Sequence, residues 1–394
     1  MASIEPENKA EPKNNWVAAW YAPPLAVIAA DLTGRTLRQI IRMQGGGSQI
    51  RVGLSNRYGQ APVTISSISA AHVLNGPNLH PGAKAVLFKG ENTLTLHPGQ
   101  EITSDPLELQ VTVGSDIAIT FYVKKGDCHT GHPVGLQTSY ISKLGDFTKL
   151  PEEIAPAFYP LITTARWLIS RVDVLPDSPL NAVVAFGSSV TDGVGSTLDA
   201  HRSWPGYLAQ RLAKAGGTRL MSVINAGVSG NQLTNDNISE LAAFGFPSFM
   251  AGEAGLKRLE WDLLAIPGAT DLIVHIASND LRMGVSSETI ITALKEVADR
   301  TRQKYKKVFG ATILPGGYTT EQNLERHRVN HWLLEESSPW YDAPFDFATA
   351  LRSENDEALV DPTYDSGDGV HPNDRGYEQM AAAVNINLLS GSPG

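Results

Sequence analysis

NAVVAFGSSVTDG, residues 181–193, decides the fold of this chain. An apolar run, Asn181 to Phe186, stops at Gly187 and gives way to two adjacent serines and then Thr191-Asp192-Gly193. A short, continuous apolar run bounded by turn residues is the signature of a strand buried on both faces. Ser188 and Ser189 would then sit in the loop leaving its carboxyl end, where open α/β sheets gather their chemistry. Taken alone, the stretch is equally a polar turn after a buried strand.

Outward from it, the two directions differ in periodicity. Toward the carboxyl end, buried-type strands (183–186, 220–224, 271–276, 307–314) alternate with helical stretches at 204–215, 290–305, 320–337 and 374–389. That alternation predicts a parallel sheet covered by helices on both faces. Toward the amino end, residues 16–172 carry short alternating segments, at 36–42, 50–54, 107–113 and 117–123, separated by Gly, Pro and Asn clusters. These predict a β sandwich or barrel, with an all-β, jelly-roll-like sandwich as the expected form. Residues 173–180, with two prolines, are expected to form the linker, so the second unit spans 173–394; residues 1–15, polar and charged, are expected to be a disordered tail.

Bulk properties narrow the function classes. A chain of 394 residues exceeds what one core usually organises. The net charge of −9 argues against nucleic acid or an anionic membrane as partner. No stretch approaches the roughly 20 apolar residues of a membrane span. The single cysteine, Cys128, excludes an intramolecular disulfide framework. The amino terminus has no apolar leader core, which points to a cytoplasmic protein or to one whose secretory leader is already removed. The oligomeric state is not written in the sequence.

Four strand-exit loops in the second half hold unusual polar groups: 187–191, 225–231, 277–280 and 368–373. A serine hydroxyl becomes a nucleophile when a base takes its proton and a third group orients that base. Asp368 and His371, three apart in one turn, can supply both. Attack on a carbonyl builds an oxyanion, which needs donors fixed in advance. Glycine-flanked N–H groups and an Asn amide in the second and third loops offer them. Each loop alone is commonly a turn or a helix cap. Together, in order and at strand exits, they point to acyl transfer.

Those blocks resemble the SGNH (GDSL-type) serine hydrolases, whose three-layer α/β fold is related to flavodoxin-like sheets. The resemblance covers 183–389. It rests on Phe186-Gly187-Ser188-Ser189-Val190-Thr191-Asp192-Gly193, Val228-Ser229-Gly230, Ala277-Ser278-Asn279-Asp280 and Asp368-Gly369-Val370-His371-Pro372, with Trp204-Pro205 and Gly376-Tyr377 flanking. It implies Ser189 as nucleophile, His371 as base and Asp368 as its orienting partner. It also implies an oxyanion hole made by Ser189, Gly230 and Asn279. Two positions depart from the family pattern: Ser188 stands where the Asp of Gly-Asp-Ser is usual, expected to loosen the network around the nucleophile, and Ala277 replaces Gly. The stretches 36–39, 54–59 and 130–133 resemble, more weakly, the β-rich module preceding this domain in two-domain GDSL esterases.

The expected function is therefore serine esterase action on short-chain acyl or carbohydrate-linked acetyl esters, with a small-molecule or carbohydrate ester as substrate and no metal or cofactor. A thioesterase, lipase or acyltransferase on the same residues is the enzymatic alternative. A glycan-binding protein with a relic hydrolase domain is the alternative from another class. His132, Arg57 and Trp204 are the expected substrate-binding residues, the first two lent by the β module; Phe244, Phe246, Phe249 and Met283 are further pocket candidates. The His327/His331 pair lacks the Glu of a zinc-protease motif and is expected on a surface. Cys128, His129 and His132 lack a fourth metal ligand, and the spacing of Asp361, Asp365 and Asp368 does not fit a calcium loop. The run Gly45-Gly46-Gly47 is expected to be a hairpin loop.

Overall fold

A computed structural model describes residues 16–149, 155–236 and 251–393. The tail 1–15 and the pocket candidates Phe244, Phe246 and Phe249 lie outside these described residues.

The carboxyl-terminal half is built on a five-stranded parallel sheet. Its order is Met221–Gly227, Asn181–Gly187, Ala269–His275, Lys307–Ala311, Ala343–Phe345. Neighbouring residues of the Asn181–Gly187 strand serve opposite layers. Val183 and Ala185 pack with Trp204, Leu208, Leu212, Phe347 and Tyr377. Val184 and Phe186 join Leu259, Leu263, Leu272 and Leu294 on the other face. The helix Trp204–Ala215 starts where expected, with the Ser203 side chain accepting from the Gly206 N–H and Pro205 in its first turn. The helix Thr320–His331 opens on a capping box between Thr319 and Gln322. The short strand Ala343–Phe345 and the turns Ser189–Asp192 and Ser278–Arg282 are elements the sequence pattern did not separate from loops.

The amino-terminal half is antiparallel. One sheet runs Val17–Tyr21, Ile169–Leu175, Gly47–Ser55, Leu107–Val111; a larger one is centred on Arg35–Arg42, Asp116–Lys125 and Val63–Asn75. Two expectations are corrected. The linker begins later than residue 173, because Asp173–Leu175 belong to the strand Ile169–Leu175. Asp173 is buried at 1% exposure, with Arg51 at 2.9 Å and Arg171 at 2.8 Å neutralising it. The Gly45–Gly47 run is not a hairpin: its flanking strands Arg35–Arg42 and Gly47–Ser55 lie in different sheets. A Cβ on Gly47 would stand 2.2 Å from the Leu175 carbonyl oxygen, so the corner requires glycine.

The halves share one apolar core, in which Val17, Ala18 and Val172 meet Leu259, Leu263 and Ile266. Polar contacts cross the seam too: Tyr21 donates to Asp262 at 2.6 Å and Tyr58 to Glu253 at 2.9 Å. Among the described residues no helix is long and apolar enough to cross a membrane.

Candidate active site

The Asn181–Gly187 strand delivers the two serines to a tight turn. Gly187 has no room for a side chain: a Cβ would stand 2.1 Å from Thr191 Oγ1 and 2.4 Å from the His275 carbonyl oxygen. Ser188 is buried, and its carbonyl accepts from the N–H groups of Thr191 and Asp192. Ser189 begins the helical turn Ser189–Asp192, which Gly193 ends with φ +113°. The serine that meets the histidine is Ser189: its Oγ lies 2.9 Å from His371 Nε2, across 182 residues of sequence.

His371 is held from its own loop. Asp368 Oδ2 lies 2.6 Å from His371 Nδ1, while Asp368 Oδ1 accepts from the N–H groups of Val370 and His371, each at 2.8 Å. Partial burial opposes ionisation of Asp368. The hydrogen bonds from the His371 ring and from the two N–H groups outweigh it and hold the carboxyl at about 2. Asn373, capping the helix Asp374–Ala383, accepts from the Gly376 N–H and fixes where this loop ends.

Gly230 and Asn279 line the same cavity as Ser189 and His371. The Asn279 amide donates to the Asn231 carbonyl at 2.9 Å, which uses one of its two N–H groups. Ala277 takes the left-handed conformation a glycine would favour, at φ +88°, inside a fully buried environment. Asp280 ties the second loop to the third, accepting from Leu233 N at 2.8 Å and from Thr234 N and Oγ1 at 2.9 and 2.7 Å.

Asp192 does the equivalent for the nucleophile turn. Its Oδ2 accepts from the Ser229 N–H at 3.0 Å and the Ser229 hydroxyl at 2.6 Å. Its Oδ1 lies 3.0 Å from His132 Nε2. The loosening expected from Ser188 is thus countered by a carboxylate four residues later. Arg258, buried and unremarked in the sequence, grips the ends of two strands through the carbonyls of Gly187 (2.9 Å) and Ala226 (3.0 Å) and also holds Asn231 Oδ1 at 2.9 Å.

The cavity above Ser189 measures about 390 Å³, and Leu314, Pro315, Tyr318, Val370 and Arg282 complete its walls. Arg282 is braced by the Gly316 carbonyl at 2.8 Å and lies over the Tyr318 ring. His275 also lines it, 4% exposed, with neither ring nitrogen partnered; burial pushes its pKa down to about 4, so the ring is neutral.

Three expected substrate-binding residues lie elsewhere. His132 is buried between Asp192 and the Pro23 carbonyl, bridging the two halves. Arg57 pairs with Glu101 at 2.8 Å and covers Trp261. Trp204 is fully buried against Phe347 and donates to Thr191 Oγ1 at 3.3 Å. None of the three reaches the cavity. Met283, exposed beyond the Ser278–Arg282 turn, is absent from its lining as well. His327 and His331 lie on the surface beside Glu357 and Glu336, and no His/Cys/Asp/Glu cluster suited to a metal occurs among the described residues.

Comparison with known proteins bears on the same half. The GDSL-like lipase/acylhydrolase family matches residues 185–379. Curated proteins gave no match. Among solved structures, a lipolytic protein of the G-D-S-L family from Desulfitobacterium hafniense is 23% identical, covering 53% of this chain and 99% of its own, with a TM-score of 0.39. The esterase EstA from a Pseudoalteromonas species, solved with monoethylphosphonate, is 16% identical over 52% of this chain and 93% of its own, at a TM-score of 0.38. A chain named as a GDSL-like lipase from Bacteroides ovatus spans 92% of this chain and 87% of its own at 14% identity and a TM-score of 0.38. Through residues 185–379 the chain belongs to the GDSL-like lipase/acylhydrolase (SGNH) family, and it is a carboxylic ester hydrolase.

Proposed function

We propose that the chain is a serine esterase working through Ser189, His371 and Asp368, and that it prefers short acyl groups, including acetyl groups carried on carbohydrate. The observation that carries the proposal is the unbroken relay from Ser189 Oγ to His371 Nε2 at 2.9 Å and from His371 Nδ1 to Asp368 Oδ2 at 2.6 Å. His371 takes the hydroxyl proton as Ser189 Oγ bonds to the ester carbonyl carbon. Asp368, ionised down to about pH 2, stabilises the imidazolium that forms. Donors at Ser189 N–H, Gly230 N–H and the second Asn279 amide hydrogen meet the oxyanion. The C–O bond to the alcohol then breaks, and the alcohol leaves with the proton from His371. Water, deprotonated by His371, attacks the acyl-enzyme and releases the carboxylic acid.

Cavity size supports short acyl groups. About 390 Å³ lies near the lower end of small-molecule sites, and the reacting ester occupies part of it. The test is a series of acetyl, butyryl, octanoyl and palmitoyl esters of one chromogenic alcohol. kcat/KM should be greatest for acetyl or butyryl and lower by at least about tenfold for octanoyl. A maximum at palmitoyl would replace this reading with that of a lipase.

A further inference from the structure

At the far end of the Ser189–Asp192 turn from the catalytic cavity, a cleft separates the β module from the α/β layer. It is lined by Arg166, Arg42, Arg202, His201, His132 and Asp192, among others. Three of the four charged side chains, and His132, already have partners. Arg42 forms a two-point pair with Asp116 at 2.7 and 2.9 Å, Arg202 meets Asp374 at 2.7 Å, and Asp192 faces His132 at 3.0 Å. Arg166 is the exception. It is 1% exposed, and among the described residues no carboxylate lies within ion-pair distance of it. One terminal nitrogen donates to the Ser139 hydroxyl, and its buried Nε has no acceptor. Burial lowers its pKa only to about 10, so it remains a cation at neutral pH. His201 brings no charge, since burial and then Arg42 hold its pKa down at about 4.

A buried, unpaired guanidinium carries a desolvation penalty that an anion offsets better than neutral groups do. Its planar fork matches the two oxygens of a carboxylate or phosphate. The cleft holds about 110 Å³, room for roughly four waters at ~30 Å³ each. That is enough for one small oxyanion. We propose that this cleft is a binding site for a small oxyanion, a carboxylate or phosphate-type group, with Arg166 as its counter-ion. The site is separate from the catalytic cavity and does not depend on the chemistry at Ser189. An occupant would adjoin the His132–Asp192 contact and hence the turn that carries the nucleophile.

The test is thermal unfolding of the full chain in acetate, inorganic phosphate or chloride at equal ionic strength. Acetate or phosphate, whichever is the better ligand, should raise the midpoint by about 2–4 °C over chloride at saturation. The rise should persist in Arg282→Gln, whose side chain serves the catalytic cavity, and vanish in Arg166→Gln. Gln137→Glu, which puts a carboxylate into the same cleft from a lining position, should also abolish it and covers the case in which Arg166→Gln does not fold. No rise in the wild type, a rise surviving in either cleft variant, or a rise lost in Arg282→Gln would each overturn the proposal. General salting-out stabilisation would survive in every variant and so counts against it.

Discussion

Asp192→Asn is the most informative single change, because one buried carboxylate joins the nucleophile turn, the Ser229 loop and the β module. The substitution keeps the shape and removes the charge. His132 then loses its counter-ion. In the native protein its Nδ1 lies 3.0 Å from the Pro23 carbonyl and its Nε2 3.0 Å from Asp192, so both ring nitrogens face acceptors and the imidazolium satisfies both. Burial alone lowers the His132 pKa, but the charge and hydrogen bond of Asp192, with the Pro23 carbonyl, turn the balance upward. A folded-state pKa above the unfolded value gives stability that is fully present below about pH 6.5 and lost as pH rises through the folded value. Breaking one side of a buried pair costs about 3–5 kcal/mol. The low end, about 3 kcal/mol, is expected here, because the Asn carbonyl can still accept from Ser229 and His132 can release its proton. Urea denaturation of wild type and variant near pH 6 should show that gap, and it should narrow as pH rises through the folded-state value of His132. A loss of less than about 1 kcal/mol near pH 6, or a gap that does not change with pH, would refute the reasoning. Because Ser229 precedes Gly230, kcat should also fall, by about tenfold, with KM little changed.

Other perturbations address single parts of the account. Asn279→Ala should lower kcat by about 10²–10³ in steady-state ester hydrolysis, the cost of one oxyanion donor. His275→Phe tests the neutral histidine beneath the cavity, whose pKa of about 4 lies below the unfolded value. Wild type should lose on the order of 3 kcal/mol between about pH 6.5 and pH 4 through this group, and the variant should lack that part of the slope in urea midpoints. Trp204→Ala should cost about 3–5 kcal/mol of stability by calorimetry or denaturant, as expected for a fully buried indole packed on Phe347 at 5.3 Å.

The α/β half was legible because its strands are buried on both faces and its loops concentrate Gly, Ser, Asn, Asp and His at strand exits. The choice between Ser188 and Ser189 came from a family resemblance; the residues alone left it open, and the backbone turn is what presents Ser189 to His371. His132 and Arg57 were misplaced because a polar residue of the β module can equally serve a pocket or a seam, and only tertiary packing separates the two. Trp204 was misplaced for a related reason: its neighbour Thr191 is in the nucleophile block, yet the indole packs beneath it. Arg258 was missed because its only partner near in sequence is Asp262, four residues on at 2.7 Å, an ordinary helix pair; the carbonyls at 187 and 226 and the Asn231 side chain that it also holds are distant. Asp173 resembled a linker residue because one of the two arginines that neutralise it, Arg51, comes from the neighbouring strand, far away in sequence. Arg166 had no signal; its burial is a product of how the sheets close.

The central claim is that Ser189, and not its neighbour, is the nucleophile. Reaction of the purified chain with an active-site phosphonate, followed by mass-spectrometric mapping of the adduct, tests it most directly. The account expects one adduct on Ser189, unchanged labelling with activity within about tenfold of wild type in Ser188→Ala, and neither labelling nor turnover in Ser189→Ala, where kcat should fall by about 10⁴–10⁶. An adduct on Ser188, or wild-type turnover by Ser189→Ala, would contradict it.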